Sequence, residues 1–277
     1  MIIWLASYPK SGNTWVRSFL SAYYFTDDGM FNFDLLDNFK QFPSKDFINM
    51  KLSDPGEIVN YWHSIQDRLM ENKKIKMLKT HNALISFNKT KFTLPKYSLG
   101  AVYILRDPRN LITSLKDHTD ITYDEALRFM CNEDTILYDT SSGDYDATHF
   151  ISSWSTHYKS WTSDNNIKTM VIKYEDLETD CNKIFKDLVI FINKLLKNSD
   201  VINEEKLYNA IKSTNFKNLR KKEELGEFKE SVISLKTNKK VKFFNLGFEN
   251  KWEKILPDKI KSKVNDKFAD DLKYLNY

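Results

Sequence analysis

A chain of 277 residues with 41% hydrophobic and 14% aromatic side chains is long and apolar enough to bury a substantial core, which excludes global disorder. Its net charge of +4, from 42 basic and 38 acidic residues, is too mild for a nucleic-acid binder and suits a small anionic ligand. No stretch approaches the roughly 18 uninterrupted apolar residues of a membrane span, and Cys131 and Cys181 carry neither metal spacing nor a disulfide framework.

The chain opens on "MIIWLA", a continuous apolar run of strand length. Pro9 and Lys10 end it before it can act as a signal peptide, so a soluble, cytoplasmic protein is expected. The stretch Pro9-Lys10-Ser11-Gly12-Asn13-Thr14-Trp15 follows at once. Gly12 permits a tight turn, and Asn13 and Thr14 can start a helix. The unpaired N–H groups of that helix start, its dipole and Lys10 together describe an anion cradle. It is not the nucleotide P-loop G-x-x-x-x-G-K-[ST], since the lysine precedes the glycine and the first glycine is missing. On shape alone, an ordinary strand-to-helix turn with an exposed lysine fits equally well. Trp15, Phe19, Ala22 and Tyr23 then share one helical face.

Three further apolar runs follow: "IKMLKT" at 75–80, "AVYILR" at 101–106 and "TMVIKY" at 169–174. Continuous runs of this kind suit strands buried on both faces of a parallel sheet. A helical pattern at 181–196 puts Ile184, Leu188, Phe191 and Leu195 on one face. Strands alternating with helices predict an α/β fold, a central parallel sheet flanked by helices, and no repeat period suggests a solenoid. Such sheets bind ligands beyond the carboxyl ends of their strands.

The residues after each run are therefore the candidates. His81 follows the second run in Lys79-Thr80-His81, where a near-neutral imidazole can take a proton from a hydroxyl. His63, His118, His149 and His157 read as structural. After the third run, Asp107 and Pro108 make a good helix start that leaves Arg106 at the strand end, with Ser114 two turns on. Arg106 can fork onto a phosphate, or it can pair with a carboxylate. After the fourth comes Tyr174-Glu175-Asp176-Leu177, whose two acids suit the turn and the cap of the next helix.

These strings resemble a known family. "YPKSGNTW" is similar to the 5′-phosphosulfate loop Y-P-K-S-G-T-T-W of the cytosolic-type sulfotransferases and differs from it only at Asn13. "KTH" resembles the family's catalytic K-T-H, "RDPRNLITS" its R-[ND]-P-x-[DN]-x-x-x-S segment and "YEDL" its Y-E-D-[ML]. "STNFKNL" is a weaker likeness to its T-S-F-x-x-[ML].

The resemblance implies a P-loop NTPase-like sulfotransferase fold and 3′-phosphoadenosine 5′-phosphosulfate (PAPS) as sulfuryl donor, with no metal. It implies His81 as general base, with Lys10 on the bridging oxygen and Lys79 neutralising the transferring group. Lys10, Ser11, Gly12, Asn13, Thr14 and Trp15 would hold the phosphosulfate and adenine side. Arg106 and Ser114 would hold the 3′-phosphate, and Tyr174, Thr214, Phe216 and Gly247 the rest of the nucleotide. The acceptor would be a small molecule, glycan or lipid that offers a hydroxyl or, as the lesser alternative, an amine.

One departure stands out. The family's R-K-G-x-x-G-[DN]-W reads "NLGFENKW" here, so Asn245 and Leu246 replace its arginine and lysine while Gly247 and Trp252 keep their places. Arg220, Lys221, Lys222, Lys239, Lys240 or Lys242 would have to supply the lost charge. The whole of 1–277 is read as one domain, with 25–65 and 120–160 as helical insertions on the acceptor side or as a small helical subdomain. Two rival readings remain: a nucleotide kinase with an unusual P-loop, and a nucleotide-binding relative without catalysis.

Overall fold

The four apolar runs form one parallel sheet in the computed structural model, which describes residues 1–138, 144–163, 166–198, 201–230 and 240–277. The strands are β1 (Ile2–Ser7), β2 (Lys76–Thr80), β3 (Ser98–Leu105) and β4 (Thr169–Lys173), in the order β2-β1-β3-β4. Ala6 pairs with Thr80, Ser7 with Ile104 and Leu105 with Lys173, so all four carboxyl ends lie along one edge. That alignment makes four loops distant in sequence neighbours in space.

Helices α1 (Asn13–Phe25), α2 (Trp62–Glu71), α3 (Pro108–Thr119), α4 (Tyr123–Cys131), α5 (Trp154–Thr162) and α6 (Tyr174–Leu196) connect and cover the strands. Helices α7 (Glu204–Ser213) and α8 (Phe216–Glu224) follow, and three short ones run from Trp252 to Leu275. Alternation along the strands divides the core in two. Trp4, Ala6, Leu78, Tyr103 and Leu105 face a layer with Trp62, Phe92, Trp154 and Trp161. Ile3, Leu5, Met77, Val102 and Ile104 face α1 and α6. Trp4 is fully buried between Phe42 and Phe92 and donates its indole N–H to Ser98 Oγ at 2.9 Å. Burying a side chain of that size contributes about 3 kcal/mol.

The expected face of α1 is the buried one, with Trp15, Phe19, Ala22 and Tyr23 all in the second layer. In α6 Leu188 and Leu195 of the expected face are buried, but Ile184 and Phe191 pack only partly, and Phe185, Val189 and Ile192 complete the buried face instead. The helix is kinked at Asp180, where φ is −146°. Residues 25–65 were expected to be a helical insertion, yet before α2 they hold two 3₁₀ turns, Phe33–Asn38 and Glu57–Tyr61. Their aromatic residues serve the two main layers instead of a separate core: Phe31, Phe33 and Phe39 enter one, Phe42 and Trp62 the other. The same segment shields the β2 edge. Phe42 N–H donates to the Lys79 carbonyl at 2.8 Å, and Lys79 N–H to the Lys40 carbonyl at 3.0 Å. Among the described residues no helix is long and apolar enough to cross a membrane.

Candidate active site

A cavity of about 930 Å³ opens where the four strands end. Its wall carries Lys10, Gly12, Asn13, Thr14, Trp15, Lys79, His81, Arg106, Ser114, Tyr174, Phe216 and Gly247. Two candidates stay off that wall. Ser11 is buried beneath the turn, and Thr214 spends its hydroxyl on the Ala210 carbonyl at 2.6 Å, as the C-cap residue of α7.

The turn after β1 depends on two left-handed residues, Lys10 at φ 68° and Gly12 at φ 96°. A Cβ on Gly12 would lie 2.5 Å from the Tyr174 ring, so the close approach of the two loops requires glycine. Gly12 is the N-cap of α1, and among the described residues no side chain caps that helix. Its first N–H groups are thus left for a ligand. Asn13 turns inward, donating to the Leu5 carbonyl and to Ser7 Oγ, both at 3.2 Å. It braces the turn onto β1 and offers the cavity its backbone.

Two lysines and an imidazole form the centre. Lys10 Nζ sits 3.8 Å over the Phe243 ring; burial, with Arg106 nearby, brings its pKa down to about 7. Lys79 is lowered to about 8 by burial, against the opposing pull of Glu230 3.8 Å away. Glu230 is itself held by Arg17 at 2.5 Å. His81 places Nδ1 2.8 Å from the Ser7 carbonyl, which accepts only a proton-bearing nitrogen. Nε2 therefore keeps its lone pair. Burial, then Lys79 and His149, hold this imidazole well below its ordinary pKa, so it is neutral through the physiological range. His157 donates from Nε2 to the His81 carbonyl at 3.1 Å and accepts on Nδ1 from the Tyr103 hydroxyl at 2.8 Å, the structural part expected of it.

Arg106 donates to the Lys10 carbonyl at 2.8 Å and stacks 4.2 Å over Tyr174. Its Nε is buried without a partner among the described residues, a donor left for an anion. Asp107 caps α3 as expected, accepting from Arg109 N–H at 2.8 Å, with Pro108 at the first position. Glu175 ties the next turn by accepting from Asp107 N–H and the Tyr277 hydroxyl. Helix α6 begins at Tyr174, so Glu175 and Asp176 fall in its first turn and do not cap it.

The departing segment closes the same cavity. Gly247, at φ 54°, lets the backbone pass the Phe216 ring, which a Cβ would meet at 2.5 Å. Asn245 and Leu246 line the wall, Asn245 donating to Asp117 at 3.2 Å. Of the cations proposed to replace the missing pair, Lys242 reaches the wall, whereas Arg220 and Lys222 pair with Glu224 and Glu227. Lys221 and Lys240 are not on the wall, and Lys239 lies outside the described residues. From 120–160 come Asp120, Ile121, Phe129, Leu137 and Tyr138; from 25–65 comes Gln41. Sequence reasoning missed Gln41, which reaches the wall and His149 only through long-range pairing. Among the described residues no cluster of three His, Cys, Asp or Glu side chains is arranged to hold a metal.

A family model described as "Sulfotransferase domain" matches residues 2–275. Comparison with curated proteins returned no match. Among solved structures, mouse sulfotransferase SULT7A1 complexed with PAP aligns with a TM-score of 0.58 at 19% identity, covering 98% of this chain and 83% of that one. Retinol dehydratase in complex with androsterone and the inactive cofactor PAP gives 0.58 at 14% identity, covering 98% and 80%. The same enzyme with retinol and PAP gives 0.56 at 15%, covering 98% and 81%. These likenesses concern the fold, a parallel sheet flanked by helices.

Proposed function

The chain belongs to the sulfotransferase domain family, and on that premise we propose that it transfers a sulfuryl group from PAPS to a hydroxyl of an acceptor, with His81 as general base. The observation that carries this reading is the His81 contact: Nδ1 is committed to the Ser7 carbonyl, which leaves Nε2 as the unprotonated nitrogen of a residue on the wall shared with Lys10 and Lys79. Fit to the donor is supported by the uncapped α1 start, the free Arg106 Nε and the aromatic Trp15 and Phe216. The solved neighbours were crystallised with PAP, the product such a donor leaves.

In this scheme Nε2 takes the acceptor hydroxyl proton as its oxygen bonds to sulfur. The bond from sulfur to the bridging phosphate oxygen breaks, and PAP departs carrying that oxygen's charge. Lys10 and the α1 amides meet the charge as it develops, in the way preorganised donors act. Lys79 neutralises the sulfuryl oxygens in flight.

A [35S]PAPS transfer assay over a panel of alcohols and phenols tests the assignment. His81→Ala is expected to lower turnover by about 10²–10⁴-fold while PAP still raises the melting temperature. Full transfer by that variant would remove His81 from the mechanism.

A further inference from the structure

We propose that Gln41 is an acceptor-recognition residue, presenting side-chain N–H donors that select an alcohol with a second oxygen 1,2- or 1,3-related to the reacting hydroxyl. The proposal rests on the sulfotransfer reading above and adds a substrate class to it.

A hydrogen-bond chain with one fixed end sets the orientation of the Gln41 amide. Phe150 N–H donates to Asn82 Oδ1 at 2.8 Å, which settles which end of that amide is oxygen. The Asn82 Nδ2 then faces His149 Nδ1 at 3.1 Å, so Nδ1 is an acceptor. His149 is buried, and that burial, with Lys79 nearby, keeps the ring neutral, with its one proton on Nε2. Gln41 Nε2 is placed 2.9 Å from that Nε2–H, which would set one N–H donor against another. A donor must meet an acceptor, so Gln41 turns Oε1 to His149. Its NH2 is the end available to a ligand.

Place gives this amide its meaning. Gln41 lines the same cavity as His81, Leu137 and Tyr138. Its backbone bridges to Lys79, two residues before the base, and the His149 and His81 rings stand 5.9 Å apart. A hydroxyl whose proton goes to His81 therefore has Gln41 within reach of an oxygen a few bonds away, as in a polyol, a sugar ring or an ortho-alkoxyphenol. An acceptor without that oxygen leaves the Gln41 N–H groups unpaired, and unpaired donors are what such sites reject.

Matched pairs of probes test this with PAPS as donor: trans-cyclohexane-1,2-diol against cyclohexanol, and 2-methoxyphenol against phenol. The oxygen-bearing member is expected to have at least about tenfold higher kcat/KM. Gln41→Leu should bring the ratio to near one with the KM for PAPS and the PAP melting shift unchanged. Gln41→Glu, which only accepts, should keep the diol and lose the methoxy preference.

Equal use of both members, a preference that survives Gln41→Leu, or no turnover of any oxygen-bearing probe by protein that binds PAP would overturn the proposal. So would a 15N spectrum placing the His149 proton on Nδ1, whatever the acceptor. Absence of PAP binding by the wild-type protein would instead count against the sulfotransfer reading.

Discussion

Lys10 is the residue on which the electrostatics turn. Its amine is held near a pKa of about 7, so in the free protein it loses its proton as pH rises through neutrality. A phosphate or sulfate is held by the ammonium form, and binding must then include proton uptake. PAP affinity is accordingly expected to fall toward about tenfold per pH unit above pH 7. The stability of the ligand-free protein should move the other way. Between about 7 and the ordinary lysine value of 10.5 the unfolded chain holds the proton that the folded one lacks, so this group favours folding increasingly as pH rises. Calorimetry in buffers of different ionisation enthalpy checks the first point, and melting against pH the second. PAP binding with no proton uptake at pH 8 would contradict the role given to Lys10. Asn245 offers the converse test. Asn245→Arg returns a cation to the wall and is expected to tighten PAP by about tenfold or more, a charge-assisted hydrogen bond contributing about 1.5–3 kcal/mol. Asp117, the present partner of Asn245, competes for that guanidinium, so the gain should grow in Asn245→Arg/Asp117→Asn.

At the scale of the element, the strand-to-helix turn joins the fold to the chemistry. Gly12 combines a left-handed φ with a Tyr174 ring where a Cβ would sit. Gly12→Ala should therefore cost more than the 1–2 kcal/mol of a left-handed alanine, because the Tyr174 loop must also move. The expected result is a lower melting temperature and loss of the PAP shift together; a variant binding PAP as wild type does would show that the cradle tolerates a different turn. The two central strands were legible because burial on both faces leaves unbroken apolar runs, as at 2–6 and 101–105, whereas in 169–173, expected to be buried in the same way, only Ile172 is buried and Val171 is exposed. The start of β3 at Ser98 was not legible, since Gly100 interrupts the run where Leu195 packs close. The 3₁₀ turns of 25–65 were missed because their aromatic residues answer to two distant core layers and show no local period. In the site, residues that end a strand could be read in order. Gln41 and Glu230 arrive by tertiary packing, which no spacing announces.

Across the whole molecule, register does the assembling: four strand ends in line bring the Lys10 turn, His81, Arg106 and Tyr174 around one cavity. On the reading proposed above, this cavity takes a 3′-phosphorylated adenosine phosphosulfate and not a nucleoside triphosphate with magnesium. Thermal melting with PAP, beside ADP and ATP with and without magnesium, tests it most directly. At a hundred times its dissociation constant PAP should stabilise the folded state by about 2.7 kcal/mol, raising the melting temperature by roughly 5 °C without metal. A shift with ATP and magnesium alone, or none with PAP, would contradict the account.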